Sequence, residues 1–197
     1  MIRLSDAKKG AKTGAKTVLV LTILAMSGCA PMLQSNDPPE RIYWLEPDQA
    51  SDTAGPAASI RVSVVPGLNS DHIWILQRDR RLNYYAGATW PDTLPRVLQS
   101  VVGRSLNADG SPSPDVVFEV LIERFFAVES AGEIPDVELR ARIHKLSGSG
   151  GACSFAAEAQ PATPRMRDIV AAHQQVLDDL IETLERLKSS NGEGRSC

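Results

Sequence analysis

Alternating apolar and polar residues mark much of this chain as β-structure. Over 59–65, Ile60, Val62 and Val64 alternate with arginine and serine, and over 137–145 apolar residues alternate with charged ones and a histidine. A period of two residues is typical of a strand that buries one face. We therefore predict strands over 41–45, 59–65, 82–86, 115–127, 137–145 and 152–159, the last three forming an antiparallel meander.

The segment 68–77 fits two interpretations. Leu68, His72 and Ile75 have one turn of helical spacing, whereas the run 73–75 consists of residues that favour strands. Because both patterns are short, the sequence leaves this segment open. The arginine-rich stretch 78–81 that follows it predicts a charged turn.

Two segments have the period of amphipathic helices. The first carries an apolar stripe over 94–106, with Asp92 or Thr93 as its N-cap. The second follows Thr163 and carries its stripe over 166–187. Each stripe must be buried against another layer of the protein.

The order of elements, β-β-(β)-α-β-β-β-α, predicts an α+β fold: a mostly antiparallel or mixed sheet with two amphipathic helices on one face. The other face must be polar, paired with a partner or curled on itself. We place a single domain at 41–188. The polar segment 189–197 predicts a disordered tail.

The amino-terminal region has the features of a bacterial lipoprotein signal. Basic residues precede an apolar run over 18–26, which is less than half of the roughly 20 residues that a membrane-spanning helix needs. The run ends at Met26-Ser27-Gly28-Cys29, which is similar to a lipobox. We predict a signal peptide over 1–28, lipidation of Cys29 and a tether over 29–40. Three acyl chains on Cys29 would hold the protein permanently at a membrane.

The net charge and the cysteines of the chain limit the kinds of partner and of covalent bond that we expect. Removal of the signal peptide leaves 16 basic and 23 acidic residues, a net charge of −7. This balance disfavours nucleic acid and anionic lipid headgroups. With Cys29 acylated, Cys153 and Cys197 remain in an oxidising compartment. Their pairing stays open, although the polar tail around Cys197 favours the unpaired form.

The sequence contains no recognisable catalytic or cofactor-binding motif. His72, His144 and His173 lack the spacing of a metal site; His144 lies on the polar phase of a strand and His173 on the apolar stripe of a helix. Walker A, dinucleotide-binding and zinc-protease motifs are absent from the sequence. We expect a non-enzymatic protein that needs no cofactor and no metal.

Three aromatic residues, Tyr84, Tyr85 and Trp90, are the remaining candidates for function as partner-binding residues. They either pack a hairpin against the first helix or contact a partner, and both interpretations stay open. The strand 82–86 would also offer an unpaired edge to another chain. If Tyr85 contacts a partner, its replacement by alanine weakens association and hardly changes the melting temperature.

Several short motifs carry a resemblance to a known family: the lipobox, Tyr43-Trp44-Leu45, the segments 60–66, 82–85, 90–94 and 118–120, and the long final helix. Through them the chain resembles the ABC-type transport auxiliary lipoprotein family, the PqiC-like proteins. The resemblance implies an accessory of an MCE-type ABC transporter for lipids or other hydrophobic substrates, with an MCE-domain protein and transporter components as partners. Only Cys29 transfers as a site.

The residue after the lipobox cysteine bears on localisation. In bacterial lipoproteins, which this sequence resembles, an aspartate there retains the protein in the inner membrane, whereas this chain has Ala30. We therefore expect the periplasmic face of the outer membrane. A structural envelope lipoprotein that assists lipopolysaccharide assembly or binds peptidoglycan stays open as the alternative function.

Overall fold

The computed structural model of the chain describes residues 40–47, 58–107, 116–132, 134–147 and 151–189. They belong to one compact unit, Pro39–Cys197. The predicted signal peptide, Cys29, Cys197, almost all of the tether and almost all of the tail lie outside the described residues. Within the described part, no helix is long and apolar enough to cross a membrane.

The described strands form one seven-stranded mixed sheet, and two helices cover one of its faces, which confirms the predicted α+β fold. In chain order the elements are β1 (Arg41–Ile42), β2 (Ala58–Val64), a 3₁₀ turn (Pro66–Leu68), β3 (His72–Leu76), β4 (Leu82–Thr89), α1 (Leu94–Leu106), β5 (Val116–Val128), β6 (Asp136–Lys145), β7 (Gly151–Ala159) and α2 (Met166–Ser189).

The longest strand, β5, organises the sheet. On one side it pairs antiparallel with β6, which pairs antiparallel with β7, so the predicted three-stranded meander is confirmed. On its other side β5 pairs in parallel first with β2 and then, near its end, with β3. The antiparallel hairpin of β3 and β4 continues the sheet, and β1 joins the end of β4 in parallel.

The core lies between the sheet and the two helices. Alternate residues of β5 and β6 point towards the helices because successive strand side chains point to opposite faces. The apolar stripes of α1 and α2 cover them. The largest fully buried side chains are Leu68, Ile73, Leu94, Leu98, Phe118, Ile122, Phe125, Leu139, Ile143, Ile169, Leu177 and Leu180.

A buried lysine joins the carboxyl ends of the two helices. The ammonium group of Lys188 in α2 donates to the backbone oxygen of Leu106, the last residue of α1, at 3.2 Å. It also pairs with the Glu185 carboxylate at 2.7 Å. A cation is favoured at a helix carboxyl end because the last carbonyl groups there lack partners within the helix.

The structure resolves the segment that the sequence left open. Residues 68–77 contain the end of the 3₁₀ turn and the strand β3, so the β-forming side chains prevail over the helical spacing. Strand β4 is longer than predicted and reaches Thr89. Its register with β3 shifts between His72 and Trp74, and Gly87 adopts a left-handed conformation with φ of 71° in the same part of the hairpin.

The last strand and the last helix each differ from the prediction in one detail. Ser189 is the last residue of α2, one position further than the predicted domain boundary. Cys153 in β7 is disulfide-bonded, whereas the sequence favoured an unpaired thiol. A pattern of neighbouring polar residues gives no information on such a long-range bond.

Candidate functional site

The most prominent surface feature is a group of apolar and aromatic side chains on β1, the residues after it, β3 and β4. We call it the aromatic patch. Four of the five large hydrophobic residues that are exposed in the described part of the chain belong to it. The patch consists of Ile42, Trp44, His72, Trp74, Leu82 and Tyr84.

Three rings form the centre of the aromatic patch. His72 stacks on Tyr84 with ring centroids 4.3 Å apart and an angle of 14° between the ring planes. Trp74 meets both rings edge to face, at 5.6 Å from His72 and 6.0 Å from Tyr84. Such contacts favour a fixed arrangement of rings, so the patch presents a defined surface.

The rest of the patch is continuous with these rings through strand pairing. Ile42 in β1 and His72 in β3 are both register partners of Thr89 in β4, so the three side chains lie in one row on one face. Thr89 is buried between its two neighbours. Leu82 lies two residues before Tyr84 in β4 and therefore points to the same face.

The apolar residues of the segment 40–47 point alternately to solvent and to the core. Tyr43 and Leu45 pack against the core, whereas Ile42 is 59% exposed and Trp44 is 67% exposed. Hydrogen bonds to β4 and α2 hold this segment in place. Tyr43 N donates to Thr89 O at 2.8 Å, and Gln174 of α2 forms two hydrogen bonds with the backbone of Glu46.

The structure separates the three aromatic residues that the sequence singled out. Tyr84 is 47% exposed and belongs to the aromatic patch. Trp90 is only 3% exposed and packs in the core, 6.1 Å from Phe125 and 5.6 Å from His173 between ring centroids. This corrects the prediction of Trp90 as a partner-binding residue, because a buried side chain cannot contact another molecule directly.

Tyr85 also packs against the core. Its hydroxyl is buried and has no hydrogen-bond partner among the described residues. Burial raises the pKa of Tyr85 to about 12, and the nearby Glu129 carboxylate acts in the same direction. The geometry therefore favours a packing role for Tyr85 over the predicted binding role.

His173 lies in the centre of the core and not at its edge. Its Nδ1 donates to the backbone oxygen of Ile169 at 2.9 Å, and its Nε2 has no partner within the described part of the chain. Burial lowers the pKa of His173 to about 4, although the hydrogen bond to Ile169 opposes this shift. The ring is therefore neutral at pH 7 and contributes to packing beside Phe125 and Trp90.

The outer edge of β2 is closed by amide side chains of α1. Gln99 Nε2 donates to Ile60 O at 2.6 Å, and Gln99 Oε1 accepts from Val62 N at 2.8 Å. Asn107, which follows α1, accepts from Ala58 N at 2.9 Å. These are alternate residues of β2, whose polar groups point away from β5, so the two amides occupy positions that another strand would take.

A surface depression of about 290 Å³ lies next to this edge. Its lining includes Arg61 and Glu119, whose side chains form an exposed ion pair at 3.0 Å, together with the exposed Leu146. Exposed ion pairs of this kind contribute little energy. The depression therefore lacks the convergent buried polar groups that are typical of a small-molecule site.

Metal binding has no support in the described residues. Among them, no group of three histidine, cysteine or acidic side chains is arranged to hold a metal ion. His144 is exposed on β6, as its position in the sequence predicted.

Comparison with solved structures identifies the fold. No protein-family model matches the sequence, and no curated protein matches it. A Xanthomonas campestris protein of the family DUF330 is similar with a TM-score of 0.59 and 15% identity, covering 75% of this chain and 91% of that one. An uncharacterized protein is similar with a TM-score of 0.61 and 12% identity, covering 76% and 99%.

A weaker similarity exists to a predicted lipoprotein from Caulobacter crescentus, with a TM-score of 0.35, 10% identity and coverage of 66% and 88%. At 12–15% identity the two stronger matches show the fold alone. This chain therefore shares the α+β fold of a DUF330 protein.

Proposed function

We propose that this protein is a lipid-anchored periplasmic lipoprotein of the outer membrane and a non-enzymatic accessory of an MCE-type ABC transporter for lipids or other hydrophobic substrates. The observation that carries the proposal is a lipobox ending at Cys29 in front of a domain with the DUF330 fold. The family resemblance of the sequence supports the same assignment.

The described surface supports a docking role. Most of the large hydrophobic side chains that the described residues expose lie on the aromatic patch, whereas the buried His173 lies in the core. Exposed apolar patches of this kind mark contact with a membrane or with another protein. An MCE-domain protein and transporter components are the partners that we propose, and nucleic acid is disfavoured by the net charge of −7 after signal removal.

Substitution Cys29→Ser tests the anchor. The serine variant should remain an unprocessed or soluble precursor because a hydroxyl does not replace the thiol that receives the diacylglyceryl group. Membrane fractionation and labelling with radioactive palmitate measure this outcome, with Cys153→Ser as the matched control that keeps the label. A serine variant that still incorporates label and sediments with the outer membrane would contradict the lipobox assignment.

Neighbouring genes separate the transport role from the alternative. An adjoining ABC ATPase, permease and MCE protein would favour the accessory role. Their absence would favour a structural envelope lipoprotein.

A further inference from the structure

The aromatic patch has a composition that suits a lipid surface. Its members are two tryptophans, one tyrosine, one histidine and two aliphatic residues, and none of them carries a permanent charge. Trp44 and Tyr84 are exposed and combine an apolar ring with a polar group, so they are favoured where hydrocarbon meets water, whereas Nε1 of Trp74 is buried. The patch also lies on the face of β3 and β4 that the helices do not cover.

The position of the patch in the chain relates it to the anchor. Ile42 and Trp44 lie in the first described segment, and Arg41 follows Cys29 by 12 positions. Twelve residues span at most about 40 Å when fully extended. With Cys29 acylated, the tether therefore limits the distance between the anchor and the start of β1, beside the patch, to about 40 Å.

We propose that the aromatic patch rests on the headgroup region of the phospholipid leaflet that holds the Cys29 acyl chains. The inference depends on the proposed anchor and adds a second contact between the domain and the bilayer. Because the acidic net charge disfavours attraction to anionic headgroups, the contact uses apolar and aromatic side chains on zwitterionic phospholipid.

The second contact would fix the orientation of the domain. The patch and the helices lie on opposite faces of the sheet, so a domain that rests on the patch directs α1 and α2 away from the leaflet. The helix face would then be presented to proteins in the periplasm. A single lipid anchor alone leaves that orientation unspecified.

The three tryptophans of the chain make the contact measurable. Trp44 is 67% exposed, Trp74 is half-buried in the patch, and Trp90 is 3% exposed in the core. We would reconstitute the full acylated chain in vesicles of phosphatidylethanolamine and phosphatidylcholine brominated near the headgroup. Bromine quenches tryptophan fluorescence only at close range.

We expect quenching of the wild-type protein and a clear decrease of the quenched fraction in Trp44→Phe, which keeps an aromatic ring in the patch. Trp90→Phe is the matched control, and its quenched fraction should not fall. Ile42→Ser should also reduce quenching, whereas Leu146→Ser should not, because Leu146 is 56% exposed but lies beside the depression near β2.

Two results would overturn the contact: an unquenched wild-type protein, or equal quenching of the wild type and Trp44→Phe. Mass spectrometry of the same sample separates this failure from failure of the anchor. An acylated chain with unquenched Trp44 overturns the patch contact alone, whereas a chain without acyl groups on Cys29 overturns the anchor as well. Loss of a co-purifying protein in Ile42→Ser, without quenching in the wild type, would make the patch a protein interface.

Discussion

A single buried ring links the core of this protein to its behaviour in acid. His173 is surrounded by Trp90 and Phe125, and its one hydrogen bond uses Nδ1. Protonation would place a second N–H at Nε2, where no described residue accepts it. The folded protein therefore disfavours the charged imidazole, which the unfolded chain accepts freely.

We predict that His173 makes the protein less stable as the pH falls. Burial lowers the pKa of His173 to about 4 in the folded protein, from the ordinary value of 6.5 that applies to the unfolded chain. Between pH 4 and pH 6.5 the unfolded chain therefore binds a proton that the folded protein does not bind. The stabilisation is present above pH 6.5 and is lost towards pH 4. At 1.36 kcal/mol per pKa unit the loss is of order 3 kcal/mol.

Urea unfolding at several pH values measures this dependence. His173→Leu should flatten the dependence relative to the wild type, and His144→Gln, at an exposed position on β6, should leave it unchanged. All other titratable groups are the same in the wild type and in His173→Leu, so the difference between these two proteins isolates the histidine. Identical slopes for the wild type and His173→Leu would contradict the assignment.

Adjacent tyrosines have different roles, and substitutions should separate them. Tyr85→Phe removes a buried hydroxyl without a partner, so we expect the free energy of unfolding to stay equal or rise by up to about 1 kcal/mol. Tyr85→Ala removes a half-buried ring and should cost roughly 2 kcal/mol. This replaces the sequence-based expectation of a small change in melting temperature.

Tyr84→Ala is the matched surface control for these measurements. It should change the free energy of unfolding by less than about 1 kcal/mol because the ring is 47% exposed. A marked loss of stability in Tyr85→Phe would mean that the Tyr85 hydroxyl has a partner.

At the scale of elements, helix α1 protects the sheet as well as covering it. The side-chain amide of Gln99 provides one donor and one acceptor at the spacing that β2 requires. An unprotected strand edge is a site for unwanted pairing with other chains. Gln99 thus stabilises the contact between α1 and β2 and also protects the edge of the sheet from pairing with other chains.

We predict that Gln99→Ala lowers the free energy of unfolding by roughly 2 kcal/mol, since it leaves two backbone groups of β2 without partners. Gln99→Glu should be intermediate because a carboxylate accepts from Val62 N but cannot donate to Ile60 O. Ser100→Ala, on the exposed side of the same helix, is the control. Chemical denaturation gives the energies, and light scattering detects self-association through the opened edge.

A Gln99→Ala protein with wild-type stability and no self-association would show that the amide contacts are dispensable.

Periodicity predicted most elements because it reports which side chains are buried. The strict alternation over 137–145 and the stripe over 94–106 correspond to β6 and α1. Periodicity does not report which strands are neighbours. The arrangement in which β2 and β3 pair in succession with the same edge of β5 depends on contacts between distant residues, so the sequence left it undetermined.

The candidate site was predicted less well for a related reason. Tyr84 and Tyr85 must point to opposite faces of β4, but the face that each one takes depends on the register of the hairpin, which shifts near Gly87. Trp90 follows the strand and turns into the core. Trp74 and His72 lay in the segment whose structure the pattern left open, so their place beside Tyr84 became visible only in the fold.

At the scale of the whole molecule, the domain has a helix layer on one face of its sheet and exposed apolar side chains on the other. The sheet protects its edge at β2 and exposes apolar side chains at β1, β3 and β4. We propose that the face of the domain directed away from the membrane serves an MCE-type transporter.

Affinity purification of the full, acylated protein from native membranes tests that claim most directly. Mild crosslinking before solubilisation would preserve weak contacts, and quantitative mass spectrometry would compare the wild type with Cys29→Ser. We predict that an MCE-domain protein is enriched with the wild type and reduced with the serine variant. Recovery of unrelated proteins alone, with no MCE-domain protein in either sample, would contradict it.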